Sequence, residues 1–194
     1  MNYKEVELIK GGIKLFGDKG FDDFNAKELE QLSDVRKGSF FEFFETPEKF
    51  AKDCYIVIVK ELLESNREFI SNLEDGLSYR ELSRKVWFNT IAWWLNNSYS
   101  LKFYQQFRCS KYYFEDRSFI VEQSKEYYDF IDYGMKGNEL KAMPYDFLYE
   151  LVVVQILNTV CFIKENDRYM GDKEFLKVSF DALWDSIRLI EIAD

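Results

Sequence analysis

Arg36, Lys37, Gly38 and Ser39 stand directly ahead of Phe40, Phe41, Phe43 and Phe44 in the segment Val35–Phe44, VRKGSFFEFF. The two cations and the hydroxyl can make hydrogen bonds, some of them charge-assisted, to an anionic or polar partner. The four rings behind them form an apolar body that can seat the segment on a core. This is the profile of a docking helix, and the chemistry it offers is binding.

Bond-making chemistry has much less support. The chain has no histidine, so the commonest general base and metal ligand at neutral pH is missing. Carboxylates such as Asp129 and Asp132 are plentiful, but no nucleophile–base pair, phosphate-cradling loop or metal-ligand spacing goes with them. Cys54, Cys109 and Cys161 are far apart and never in a CxxC spacing, so neither a disulfide framework nor a zinc site is indicated. We expect no enzyme, no metal and no cofactor.

A docking segment needs a scaffold, and the composition supplies one. With 194 residues, 47% of them hydrophobic and 19% aromatic, the chain can build a sizeable core. Two prolines, nine glycines and no alternating β-branched runs favour long helices with short connections. A net charge of -9 argues against broad affinity for nucleic acid or anionic membrane, although a small basic patch is compatible with it. The N-terminus, MNYKEVELIK, lacks an apolar signal core, which with the free cysteines fits a reducing cytoplasm. The stretch from Phe147 to Ile163 is short for a membrane span and carries Glu150, Gln155 and Asn158, so we expect a buried helix and no membrane partner.

Periodicity places the elements. Val6, Ile9, Ile13 and Phe16 mark a first helix over 2–17, closed by Gly20 and Phe21. Gly11 and Gly12 inside it should each cost about 1 kcal/mol relative to alanine, which suggests that another helix crosses there. Asn25 caps a second helix with Ala26, Leu29 and Leu32 turned inward, broken at Ser33 and Asp34. A third runs from Arg36 to Phe44. Thr46 caps and Pro47 opens a fourth, to about Leu73. Ser78 and Glu81 form a capping box for a fifth, through Leu95. Further helices are expected over about 99–108, 116–136 (with Gly134 and Gly137 at its end), 144–166 and 173–192. The expected fold class is all-α, with nine helices and no strand.

The pair Asn25–Leu32 and Arg36–Phe44, crossed by the first helix, can form a helix-turn-helix whose second helix enters the major groove of DNA. The segment from Leu15 to Phe50 resembles the helix-turn-helix pattern of the tetracycline-repressor (TetR) family. The resemblance rests on Leu15-Phe16, Gly20-Phe21-Asp22, Leu29, Val35, Lys37-Gly38-Ser39, Phe44 and Glu48. The trailing FDALWDSIRL resembles the family's last helix. The resemblance implies an all-helical homodimer with a DNA-binding head, residues 1–46, and an effector-binding and dimerising body, residues 47–194. It implies that Asn25, Lys27, Arg36, Lys37, Ser39, Phe41 and Phe43 approach DNA, with Gly38 letting the helix start lie against it. Arg36 is the expected base reader, since its fork can pair bidentately with guanine.

The departures from the family pattern matter. Phe41 and Phe43 stand where tyrosines are common, and Pro47 replaces a frequent phosphate-binding lysine. Glu30 and Asp34 replace an alanine and a glycine around the turn. Residues 1–50 hold eight Lys and Arg against eleven Asp and Glu, so few phosphate contacts and a modest affinity are expected.

In the body, Trp87, Ile91 and Trp94 share one helix face, and Tyr99, Phe103 and Phe107 share another. Ile120, Gln123, Tyr127 and Ile131 form a third stripe. Facing one another, these could enclose an aromatic-lined effector cavity, with Gln123 as a polar member and Glu122 or Glu126 favouring a cationic, lipophilic compound; ordinary core packing is the alternative. The helix Phe147–Ile163 is apolar nearly all round and needs a second covering surface, which a partner subunit would supply through Leu151, Gln155 and Thr159. On the last helix, beside the apolar Leu176, Phe180, Leu183, Ile187 and Ile190, the small Ser179, Ala182 and Ser186 would let a partner helix approach. The expected function is that of an effector-released repressor, binding a palindromic DNA operator as a homodimer and responding to a small apolar or aromatic compound. The alternative is a small-molecule-binding helical protein with a weak or vestigial head.

Overall fold

The computed structural model describes residues 2–190. Met1 and 191–194 lie outside them, and with them Ile192, the expected end of the last helix. Among the described residues there are eleven α-helices, nine of them at least seven residues long, and no strand. In chain order they are α1 (Tyr3–Lys19), α2 (Ala26–Leu32), α3 (Ser39–Phe43), α4 (Pro47–Ser71), α5 (Tyr79–Asn96), α6 (Ser98–Arg108), α7 (Lys111–Glu115), α8 (Arg117–Gln123), α9 (Lys125–Lys136), α10 (Tyr145–Glu165) and α11 (Lys173–Ile187). A short 3-10 helix, Asp167–Tyr169, precedes α11.

Packing divides the chain into two units. The first joins the chain up to Glu61 with Asn97–Gln123, and the second joins Leu62–Asn96 with everything from Ser124 on. The boundary expected at residue 46, just ahead of α4, coincides with none of these divisions, which fall after Glu61, Asn96 and Gln123.

The first unit is built on phenylalanine. Phe16 of α1 stacks on Phe21 at 4.5 Å between ring centroids and lies 6.0 Å from Phe103 of α6. Phe40 of α3 meets Phe24 and Phe50, each at 5.2 Å. Asn2 and Glu5 form a reciprocal capping box at the start of α1. The expected close crossing at the paired glycines is present. A β-carbon on Gly11 would strike Ser33 and Leu29, and one on Gly12 would strike the Phe50 ring. Leu32, expected inward, is exposed, because α2 ends there and Leu29 and Ser33 fill the contact with α1.

In the second unit, Ser78 and Glu81 cap α5 reciprocally. The single helix expected over 116–136 is instead two, α8 and α9, broken at Ser124. That hydroxyl is buried and bonded to the Tyr149 hydroxyl of α10 at 3.0 Å. Gly134 does not end a helix. It sits inside α9, where the Tyr79 ring occupies the space a side chain would need. The last helix ends at Ile187, short of its expected length, because the Ile187 carbonyl accepts from the Lys141 N–H at 2.9 Å and Leu140 bridges to Arg188. Ile190 is therefore exposed and outside the apolar stripe.

Tyr79 carries a pH dependence. Burial pushes its phenol up to about 12, and its hydroxyl donates to the Phe130 carbonyl at 3.2 Å. An unfolded tyrosine titrates near 10. The folded pKa is thus raised, so this contribution to stability is complete below pH 10 and is lost as pH rises toward 12. Urea midpoints between pH 9 and 12 should fall less steeply for Tyr79→Phe than for the wild type. Equal slopes would show that Tyr79 titrates freely in the folded state.

Candidate nucleic-acid interface

The candidate interface is organised by the turn between α2 and α3. Asn25 caps α2 as expected, its side-chain oxygen accepting from the Lys27 N–H at 3.0 Å and the Glu28 N–H at 3.4 Å. The chain then reverses through Asp34, whose φ of 51° is left-handed, and Gly38, whose φ is 90°. Aspartate tolerates that conformation better than most side chains, and glycine best.

The third helix is shorter than expected. Arg36 and Lys37 lie in the turn and only Ser39–Phe43 are helical, since Gly38 at the N-cap is left-handed and offers no capping side chain. The cap comes from elsewhere. One carboxylate oxygen of Glu30 accepts from both the Gly38 and the Phe40 N–H, each at 2.9 Å. Glu30 is only 4% exposed. This anion at the N-terminus of α3 satisfies two orphan donors and complements the helix dipole. In the sequence Glu30 stands out only as a departure from the family pattern, with nothing local to suggest a capping role. The available signal was the lack of any local capping side chain ahead of Ser39.

The displayed edge is small. Arg36 and Lys37 are exposed, as is Lys27 on α2. Arg36 is paired with the exposed Glu42 of α3. Such surface pairs contribute about 0–1 kcal/mol, so the guanidinium is held but readily exchanged for another acceptor. Ser39 is fully buried and so cannot meet a partner from this position, contrary to its expected place on the DNA-facing edge. Phe40 and Phe44 are core, Phe43 is half-buried, and Phe41 is 70% exposed. At the start of α4, Lys49 lies 3.4 Å from Glu45, and Lys52 lies 3.0 Å from Asp116. The Lys52 ammonium holds the Asp116 carboxyl below its ordinary value. Each of those two cations thus has a carboxylate beside it.

The expected effector stripes are distributed differently from the sequence reading. Trp87, Ile91 and Trp94 are buried in the second unit, with Trp87 packed edge-on to Phe180 of α11. Phe103 and Phe107 are buried in the first unit, where they complete its aromatic core against Phe16, Phe21 and Tyr55. Tyr99 is 48% exposed, so it lines no interior. Gln123 is half-buried at the end of α8. Glu126 is not free to favour a cation, because Arg67 grips both its oxygens at 2.9 and 3.1 Å. Tyr127 belongs to a polar cluster that joins α4, α5 and α9 and that no local spacing announces. Asn66 of α4 donates to its hydroxyl at 2.9 Å and to Thr90 of α5 at 3.1 Å, while Asn89 donates to Asn66 at 2.8 Å.

Of the expected interface residues, Thr159 and Ser179 bond to each other at 2.6 Å and are buried, and Leu183 is buried with them. They join α10 to α11 within one protomer. Leu151 and Gln155 are half-buried, and Ala182 and Ser186 are exposed. The apolar side chains left open on these helices include Phe147 (55% exposed), Val154 and Phe162 on α10 and Val178 (65%) on α11.

No family model matches the sequence, and no curated protein matches it. Solved structures do. A protein from Shewanella sp. PV-4 assigned to the TetR family of transcription regulators superposes with a TM-score of 0.87 at 15% identity, over 97% of this chain and 100% of that one. A TetR-family regulator from Marinobacter aquaeolei VT8 gives 0.82 at 15% identity, over 96% of each chain. The fold is that of the TetR family. The fatty acid degradation regulator FadR from Bacillus halodurans shares it with a TM-score of 0.68 at 11% identity, over 95% of this chain and 96% of that one. Within that fold, α3 covers Ser39–Phe43 of the stretch expected to form the third helix.

Among the described residues α10 is the one helix long and apolar enough to cross a membrane. It packs on α5, α9 and α11 in the second unit, and well under half of its most apolar stretch is buried there.

Proposed function

We propose that the chain is a DNA-binding transcriptional regulator, cytoplasmic and homodimeric, that represses from a palindromic operator and is released by a small lipophilic effector. The observation that carries this reading is the edge Arg36, Lys37 and Phe41, held out by a short helix that Glu30 and a phenylalanine core fix in place. The fold supports it, as TetR-family regulators have the same one. Residues 1–46 act as the reading head and 47–194 as the responding body. The open face Phe147, Val154, Phe162 and Val178 is the surface a second copy would cover, replacing the expected Thr159, Ser179 and Leu183. That a regulator of fatty acid degradation shares the fold favours a lipophilic effector.

Control would work through shape. Two reading heads must meet successive major-groove faces about one helical turn apart, so an effector that binds one dimer geometry better than another shifts the DNA-competent population. A mobility shift on the DNA upstream of the chain's own gene tests the reading. A specific band at low salt, lost in Arg36→Ala/Lys37→Ala, is the expected result. A small-molecule-binding protein without operator affinity is favoured by one observation, the Arg36 pairing with Glu42 in an acidic head. Absence of any specific band, with no transcript altered by the double variant, would establish that second reading.

A further inference from the structure

One side chain on the displayed edge has no use in a purely electrostatic grip. Phe41 is 70% exposed, although Phe40 and Phe44 on either side of it are buried. Its ring is not loose. It stands edge-on against Phe40, with centroids 5.0 Å apart, and Phe40 is fixed in turn by Phe24, Phe44 and Phe50. Having no hydroxyl, it cannot bond a phosphate, so whatever it contributes on binding is apolar.

The surroundings narrow the partner. Arg36 and Lys37 precede the ring, and Glu42 and Glu45 follow it, all exposed. A single ring among charges is far smaller than the roughly 800 Å² per side of a stable protein interface. Beside two cations on the turn leading into α3, it fits a polyanion with one apolar group at base-edge depth. In the major groove only thymine carries such a group, its 5-methyl. We propose that Phe41 reads the methyl group of a thymine in each operator half-site, so that this head selects sequence partly by apolar contact. The inference rests on the DNA-binding reading above.

The experiment is binding-site selection from random duplex DNA with the full chain, followed by replacement of each enriched thymine with deoxyuridine, which removes only the methyl. The expected result is one thymine per half-site whose replacement weakens binding about fourfold, the worth of one buried methyl group at about 0.8 kcal/mol. Phe41→Ala, which removes a mostly exposed ring and should melt like the wild type, should bind both DNAs alike. Arg36→Ala should bind both more weakly and keep the fourfold ratio. Equal wild-type affinity for thymine and deoxyuridine sites, or a ratio that persists in Phe41→Ala, overturns the assignment while leaving the regulator reading intact. Selection that enriches no sequence overturns both.

Discussion

Glu30→Ala is expected to lower folding stability by about 3 kcal/mol and to abolish specific DNA binding even at temperatures where the variant remains folded. Each Glu30 bond joins a charged acceptor to a backbone donor, and such bonds contribute about 1.5–3 kcal/mol. Alanine leaves the Phe40 N–H, in a buried residue, without an acceptor. With Gly38 left-handed and no local capping side chain, α3 has no other N-terminal cap, and five residues of helix do not hold together by propensity alone. Glu30→Gln keeps an acceptor oxygen in reach of both donors, so it should lose only about 1 kcal/mol and retain binding. Urea unfolding with a parallel mobility shift measures both effects. If Glu30→Ala unfolds within about 0.5 kcal/mol of the wild type, the carboxylate does not hold the helix.

Asn66→Leu should be comparably damaging in the second unit, at about 3–5 kcal/mol. Asn66 is buried and hydrogen-bonds Thr90, Tyr127 and Asn89 at once. Leucine has a similar volume, so the cost is polar, with the partner hydroxyls stranded at about 1–3 kcal/mol each. Asn89 also donates to the Ser65 hydroxyl and carbonyl, both at 3.3 Å, and loses least. Burial already pushes the Tyr127 phenol upward, against the pull of its bonds to Thr90 and Asn66, so its hydroxyl end has little water to turn to. The diagnostic comparison is the triple variant Asn66→Leu/Thr90→Val/Tyr127→Phe. Removing the partners together should recover much of the loss, because apolar groups of the same shape have no bonds to miss. A triple variant less stable than Asn66→Leu alone would show that the loss comes from packing.

Local chemistry carried most of what the sequence made legible. The caps at Asn25, Thr46 and Ser78 were readable because each lies within three residues of the donors it satisfies. The close crossing at Gly11 and Gly12 was readable because glycine in a helix has a cost that only a neighbour can justify. What the sequence hid was set by distant partners. The split between α8 and α9 follows from Tyr149, twenty-five residues away from Ser124. The cap on α3 comes from an acid on another helix. At the site, helical periodicity marked Phe103, Phe107, Thr159 and Ser179 as facing something, but an apolar or small face looks alike whether it meets a ligand, a partner or its own protomer. Phe41 and Phe43 share a composition and differ only in which way a turn of helix points them.

The first unit is assembled from two stretches of chain separated by α5 and the end of α4 from Leu62 on. Phe16 and Phe21 lean on Phe103, and Phe21 on Phe107. A fragment ending at residue 46 would therefore expose part of its own core and should not fold, however complete its helix-turn-helix looks. On the ribosome this unit cannot close until more than half the polypeptide has emerged, and its early aromatic segments must stay soluble meanwhile. The acidic residues of this stretch, eleven Asp and Glu among the first fifty, would during that interval help keep the nascent segment from sticking to its neighbours.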